Sequence, residues 1–99
     1  MRLTETQALA LRQLARELAG NDARLLLFGS RLDDAARGGD VDLLLDLPGP
    51  VANPALLSAR MSARASRLVN GRKVDVVIAA PNLMRLPIHE IAYREGRPL

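Results

Sequence analysis

The sequence contains no cysteine and no tryptophan, and Phe28 and Tyr93 are its only aromatic residues. The absence of cysteine excludes disulfide bonds, thiolate nucleophiles and zinc sites built on cysteine. Two aromatic side chains are too few to form a surface that stacks nucleic-acid bases, so direct nucleic-acid binding is not expected. The hydrophobic core must therefore be built from aliphatic side chains.

Long apolar runs are also missing. No stretch approaches the ~18 residues that a membrane-spanning helix needs, and the N-terminal sequence MRLTETQALALRQL has no signal-peptide cleavage site. These two features predict a soluble, cytoplasmic protein with no membrane partner. The chain has 99 residues, 48% of them hydrophobic, and we expect a single domain over residues 1–99.

The net charge is +3, and nearly all of the basic residues are arginine. The basic residues are spread along the chain, and a solvated surface explains most of them. Arg60, Arg64 and Arg67 form a stripe at helical spacing. This stripe is typical of a solvated helix face, and the alternative is a surface that docks an acidic partner.

Hydrophobic periodicity and turn residues predict six elements. Helices are expected over about residues 5–19, from Pro54 and from Pro87, and strands over residues 24–28, 41–47 and 72–79. In the last helix, Ile88, Ile91 and Ala92 are expected to face the core. The order α-β-β-α-β-α predicts an α/β (α+β) fold, with a mixed sheet of about three strands and helices packed on it.

Two acids lie at the start of the second predicted strand. Side chains on a strand alternate between its two faces, so Asp40 and Asp42 point the same way. The same alternation places Asp75 and Lys73 on one face of the third strand. If the two strands are neighbours, Asp75 joins Asp40 and Asp42, and three converging carboxylates are a ligand set that suits Mg²⁺.

Glycines flank these acids in the sequence. Gly29-Ser30 ends the first predicted strand, and Gly38-Gly39 immediately precedes Asp40. Glycine lets a phosphate approach the backbone, where N–H groups and the Ser30 hydroxyl can bind its oxygens. Arg31 is either a further phosphate ligand or a surface charge. A phosphate cradle beside a carboxylate metal site indicates phosphoryl or nucleotidyl transfer.

Other polar residues have simpler explanations. Asp46 shares the face of Asp42 but lies four residues further along, and we interpret it as structural or exposed. His89, the only histidine, is expected to be a surface or hydrogen-bonded residue rather than a catalytic base. Tyr93 is expected at the edge of the core, with self-modification as the alternative. Arg37 lies in the loop before the acids, where basic residues are common by chance.

The segments GSR, GGDVDLLLDL and KVDVVI together resemble the minimal nucleotidyltransferases of the DNA polymerase beta-like superfamily. In that family a Gly-Ser pair is followed after about ten residues by Asp-x-Asp, and a third acid lies on a later strand. Here nine residues separate Ser30 from Asp40. The resemblance covers nearly the whole chain and includes its ending PIHEIAYREGRPL.

The resemblance implies a role for each matched residue. Gly29 and Ser30 would bind the phosphates of a nucleoside triphosphate, with Arg31 and Gly39 beside them. Asp40 and Asp42 would bind two Mg²⁺ ions, and Asp75 would complete one metal site and help to activate the acceptor hydroxyl. The expected donor is ATP, and transfer of AMP would release pyrophosphate.

The resemblance also implies a partner. Small members of the family commonly pair with a HEPN-domain toxin, usually a ribonuclease, and some transfer AMP to a tyrosine of that toxin. We therefore expect a Mg²⁺-dependent protein adenylyltransferase that acts as an antitoxin in a heteromeric complex, with a homodimer as an alternative for the purified chain. A binding antitoxin that neutralises its toxin without catalysis remains open. So does a subunit that modifies a small molecule or an RNA end at an acceptor site on another chain.

Overall fold

A computed structural model describes residues 3–29 and 40–99, and these form three helices and four strands. The elements are α1 (Glu5–Ala19), β1 (Arg24–Phe28), β2 (Val41–Asp46), α2 (Pro54–Leu68), β3 (Val74–Ala79), α3 (Pro87–Glu95) and β4 (Arg97–Pro98). The predicted mixed sheet and the predicted order of helices and strands are confirmed. The strand β4 was not predicted, because two residues that include a proline carry no periodic signal.

The two long helices begin where their capping residues place them. Thr4 Oγ1 accepts the Gln7 N–H at 3.0 Å, and Gln7 Oε1 accepts the Thr4 N–H at 3.0 Å. This reciprocal capping box satisfies two backbone donors that would otherwise lack partners at the start of α1. At the start of α2, Asn53 Oδ1 accepts the Leu56 N–H at 3.1 Å, and Pro54 occupies the first turn.

The strand β2 lies at the centre of the sheet, whose order is β3-β2-β1-β4. It runs antiparallel to β1, with Phe28 opposite Asp42, and parallel to β3, with Asp42 opposite Asp75. The helix α2 makes the connection that a parallel pair requires. As a result, one residue of β2, Asp42, has the end of β1 on one side and Asp75 on the other.

The helices cover the two faces of the sheet unequally. α1 and α2 cover one face, where Leu11, Met61 and Ala65 are fully buried against the Val41, Leu43 and Leu45 side of β2. α3 lies on the other face, where Ala92 packs with Leu26, Phe28, Leu44 and Ala79. The acids at the start of β2 lie on this second face and are partly exposed.

The outer edge of β3 is closed by side chains. Ser62 Oγ donates to the Val74 carbonyl, Ser58 Oγ donates to the Val76 carbonyl at 2.9 Å, and His89 Nε2–H donates to the Ile78 carbonyl at 2.9 Å. These are alternate residues, so their carbonyls all point away from β2. With these three carbonyls bonded, the edge offers fewer acceptors for pairing with a strand of another chain.

His89 is buried and hydrogen-bonded through both ring nitrogens. Its Nδ1 accepts the Leu86 N–H at 2.8 Å, so the proton must lie on Nε2, which donates to Ile78. His89 is therefore a structural residue that joins the start of α3 to β3, as the sequence predicted for a hydrogen-bonded histidine.

The predicted orientation of α3 is wrong. Ala92 is buried as expected, but Ile88 and Ile91 are 38% and 36% exposed, and His89 faces the sheet instead. The side of α3 that faces the sheet carries His89, Ala92 and Tyr93, and Gly96 follows at the same spacing. At Gly96 the chain passes close to β1, since a Cβ at this position would lie 3.1 Å from Leu26 Cβ. Small side chains and one hydrogen-bonding ring fit this close approach better than isoleucine does.

Tyr93 fastens α3 to the end of β2. Its hydroxyl donates to Asp46 Oδ1 at 2.8 Å, and the Arg85 guanidinium lies 4.5 Å from the centre of its ring. Burial raises the pKa of Tyr93 above its usual value of 10.0, and the hydrogen bond to Asp46 acts in the same direction. Tyr93 and Asp46 therefore have the structural roles that the sequence suggested.

We expect the contact between Tyr93 and Asp46 to make the free energy of unfolding depend on pH in the alkaline range. Because the pKa of Tyr93 is raised on folding, the unfolded chain loses the phenolic proton first, and the free energy of unfolding falls as pH rises above about 10. Below that pH the stabilisation is fully present. Tyr93→Phe should lower the free energy of unfolding by about 1 kcal/mol at pH 7 and remove the extra loss above pH 10.

Urea denaturation from pH 7 to 11 checks this expectation, and Tyr93 is the only tyrosine, so tyrosinate absorbance reports its titration directly. Equal pH slopes for the two proteins would contradict the role of this hydroxyl.

None of the described helices is both long enough and apolar enough to cross a membrane.

Candidate active site

Four charged side chains form a square at the start of β2 and β3. Asp40 and Asp42 contribute one side, and Lys73 and Asp75 contribute the other. Asp42 pairs with Asp75, and the Val41 N–H donates to the Lys73 carbonyl at 2.9 Å, which places Lys73 beside Asp40. Since residues two apart on a strand share a face, all four side chains lie on the face of the sheet that carries α3. The sequence predicted this face for both strands, and the register shows that the strands are neighbours.

Gly29 lies against this square from the end of β1. Its φ is +83°, and a Cβ at this position would lie 2.5 Å from Asp42 Oδ2. No heavy atom tolerates that distance without moving, so any side chain at residue 29 would displace the Asp42 carboxylate. The sequence predicted a glycine that admits a phosphate, and the structure adds a second requirement for it, the close approach of Asp42.

Lys73 places a positive charge between two of the acids. Its Nζ lies 4.0 Å from Asp40 Oδ2 and 3.9 Å from Asp75 Oδ1. The three side chains are 70%, 47% and 48% exposed, respectively, so this is an open, solvated ion pair. Lys73 was not among the residues that the sequence predicted for the site. The available signal was its alternation with Asp75, which already placed the ammonium on the acidic face.

The carboxylates fit a divalent cation as a donor set. Within residues 3–29 and 40–99, no three histidine, aspartate or glutamate side chains are gathered closely enough to hold a metal ion as they stand. Asp40 and Asp75 nevertheless approach one cation, the Lys73 ammonium, from two strands. Oxygen ligands on a rigid sheet are the donors that Mg²⁺ prefers.

Several of the predicted site residues lie outside the described part of the chain. These are the predicted phosphate ligands Ser30, Arg31 and Gly39, together with Arg37 and Gly38.

The basic stripe lies away from the acids. Arg60, Arg64 and Arg67 are exposed on α2, which covers the opposite face of the sheet. Arg64 Nη2 lies 2.8 Å from Glu17 Oε2 and so joins α2 to α1. This contact supports the interpretation of the stripe as a solvated helix face.

A cleft lies at the other end of β2, near Asp46. It has a volume of about 190 Å³ and is lined by residues that include Ala79, Met84, Arg85 and Tyr93. Two of its lining residues, Tyr93 and Asp46, are hydrogen-bonded to each other, and Arg85 Nη1 lies 3.3 Å from Oε1 of Glu90, outside the cleft. The charged groups that line this cleft are therefore already engaged in contacts with other described residues.

Comparison with known proteins gives one family. A family model described as a nucleotidyltransferase domain matches residues 10–96. The match spans β1, β2 and β3 and includes Gly29 and all four members of the charged square. Among curated proteins, no match was found.

Proposed function

Because the chain belongs to the nucleotidyltransferase domain family, of the polymerase beta-like superfamily, we propose that it transfers AMP from ATP to a HEPN-domain toxin and thereby neutralises that toxin. The family supports nucleotidyl transfer in general. The choice of ATP as the donor, of a HEPN toxin as the acceptor and of an antitoxin role is supported by the resemblance to the minimal nucleotidyltransferases.

One observation carries the chemistry. Asp42 lies between Gly29, which directly follows β1, and Asp75 on β3, in a register fixed by two strand pairings. Asp42 and Asp75 place like charges directly opposite each other on adjacent strands, which destabilises a sheet unless cations lie close to them. The arrangement is useful when a cation and an anionic ligand are bound at that point.

Asp40, Asp42 and Asp75 would hold Mg²⁺ at this point. When bound, the ions would neutralise the phosphate oxygens and stabilise the negative charge that develops on the leaving group. The strand pairing fixes the backbones of Asp42 and Asp75, so side-chain rotation, without backbone movement, would bring their carboxylates to the cation.

The residues of the chain itself would orient the reaction. Gly29 would leave room beside Asp42 for the triphosphate, and Ser30 and Arg31 are the predicted ligands of its phosphate oxygens. The acceptor hydroxyl would attack the α-phosphorus in line, and the bond from the α-phosphorus to the bridging oxygen would break. Asp75 would help to activate the hydroxyl, whose proton passes to solvent as pyrophosphate leaves.

The openness of the site supports a macromolecular acceptor. Asp40 and Asp75 have side chains that are 47% and 48% exposed, so a partner protein can bring a tyrosine hydroxyl to them without entering a deep pocket. A buried site would instead favour a small acceptor, because small-molecule pockets usually enclose most of their ligand.

A specific surface favours the alternative, neutralisation of the toxin by binding alone. A largely apolar groove of about 330 Å³ lies beside β3 and is lined by Val76, Val77, Met84 and Leu86, among others. Met84 is 78% exposed and Leu86 is 47% exposed, which is unusual for neighbouring large apolar side chains. Since the carbonyls at the edge of β3 are already bonded, a HEPN partner would dock here through side chains.

The two alternatives separate in one experiment. The purified chain, Mg²⁺, labelled ATP and a purified HEPN-domain toxin are incubated together, and the toxin is analysed by mass spectrometry and assayed for ribonuclease activity. The catalytic proposal expects a gain of one or more AMP units on the toxin and loss of its activity. Asp40→Ala/Asp42→Ala should abolish both effects. A stable complex in which that double variant still silences the toxin would favour neutralisation by binding.

A further inference from the structure

The position of Lys73 calls for an explanation beyond surface charge. The sequence holds 14 lysine and arginine residues, and Lys73 is the only lysine among them. Its ammonium lies between two carboxylates of the proposed metal site, at 4.0 Å from Asp40 and 3.9 Å from Asp75. The basic residue of the charged square is thus a lysine, whereas every other basic residue counted in the chain is an arginine.

The two amino acids differ in how firmly they hold a carboxylate. Arginine binds carboxylates through a planar fork of donors, often with two parallel hydrogen bonds. Lysine presents a compact, strongly hydrated ammonium on a flexible stem. A cation that must leave its carboxylates when another ion arrives is therefore better supplied by lysine.

The backbone of Lys73 is fixed by a hydrogen bond, whereas its ammonium group is exposed to solvent. The Lys73 carbonyl accepts the Val41 N–H at 2.9 Å, so the backbone is bonded into the sheet. The side chain is 70% exposed, and its distances to the two acids are longer than those of a tight hydrogen bond. Exposed pairs of this kind contribute little to folding stability.

We propose that Lys73 is a resident counter-ion, which neutralises Asp40 and Asp75 in the metal-free protein and is displaced when a divalent cation binds. This inference rests on the proposed function, because it concerns the same carboxylates. It gives the square a formal charge of −2 in place of −3 before the metal arrives. The metal must compete with the ammonium, so Lys73 weakens metal binding in the absence of nucleotide.

The test is direct binding of Mn²⁺, followed by the electron paramagnetic resonance signal of the free ion, with no nucleotide and no acceptor present. Lys73→Gln should bind Mn²⁺ about tenfold more tightly than the wild-type chain, because one positive charge near the ion is removed. Lys73→Arg keeps the positive charge, and the guanidinium binds carboxylates more firmly than the ammonium does. The Mn²⁺ affinity of this variant should therefore equal or fall below that of the wild type.

Arg67→Gln is the matched control, since it removes the same charge from the opposite side of the sheet and should leave the affinity within about twofold. Thermal denaturation should show nearly the same Tm for the wild type and Lys73→Gln.

The outcomes distinguish the two proposals. If the wild type and Lys73→Gln bind Mn²⁺ equally and Asp42→Asn does not bind it, the metal site stands and the role of Lys73 is overturned. Weaker binding by Lys73→Gln would also overturn it, because lysine would then support the site. If neither the wild type nor Lys73→Gln binds Mn²⁺, the carboxylate site and the proposed function fail together with this inference.

Discussion

Asp42→Asn should abolish nucleotidyl transfer while leaving the protein folded. The substitution keeps the size of the side chain and removes its charge, which the bound cation requires. Asp42 is the central member of the site, since it lies opposite Phe28 on one side and Asp75 on the other. Loss of a carboxylate that holds the metal and the transition-state charge should reduce the rate by about a thousandfold or more. The measurement is AMP transfer to the HEPN toxin at saturating Mg²⁺ and ATP.

The same strand offers the matched control. Asp46 lies on the same face of β2, and Asp46→Asn makes the same chemical change four residues further along. Its amide oxygen can still accept the Tyr93 hydroxyl, so the contact with α3 is retained. We expect transfer by Asp46→Asn to stay within about twofold of the wild type, because distant charges in solvent are screened. Equal losses from the two variants would mean that Asp42 acts through general charge or stability and not as a ligand.

The faces of the strands could be predicted because their sequences alternate. In β2, the buried Val41, Leu43 and Leu45 and the partly exposed Asp42 and Asp46 follow the period of two, so the acids were assigned to one face correctly. The start of α1 could be predicted for a similar reason, since a capping box is a local signal that needs no distant partner. These features are encoded within a few neighbouring residues.

The pairing of Asp42 with Asp75 was only a conditional prediction. Asp42 and Asp75 are far apart in sequence, and their contact depends on β3 entering the sheet beside β2. No local pattern specifies that neighbour, because the pairing forms only after the chain has crossed over through α2. The salt bridges of Lys73 depend on the same fact.

The orientation of α3 illustrates a different limit. A nine-residue helix that contains Ile88, Ile91 and Ala92 has more than one plausible apolar side. The side that is buried is decided by His89, which bonds the Ile78 carbonyl and the Leu86 N–H, and by the close approach of Gly96 to Leu26. The hydrogen bonds of His89 and the close approach at Gly96 determine which side of α3 is buried. Neither can be inferred from the spacing of apolar residues in the sequence.

Gly29→Ala should impair the site by a route that leaves every charged residue in place. A Cβ at residue 29 would lie 2.5 Å from Asp42 Oδ2 and 3.3 Å from Asp42 Cγ, so the carboxylate must turn away from its position. Misplacing a catalytic group by about 1 Å can lower a rate about a hundredfold. We therefore expect AMP transfer to fall by about that factor. Mn²⁺ affinity should fall as well, which is measured independently of turnover.

Gly71→Ala separates this collision from the cost of the backbone conformation. Gly71 has φ +78°, close to the +83° of Gly29, but nothing lies within 4 Å of the Cβ that would be added. Both substitutions should lower the free energy of unfolding by about 1–2 kcal/mol, because L-residues are disfavoured at positive φ. Only Gly29→Ala should also lose transfer and Mn²⁺ binding. If the two variants lose activity in proportion to their stability alone, residue 29 is an ordinary turn position. If Gly29→Ala keeps full activity, the Asp42 carboxylate does not need the position that the glycine leaves open.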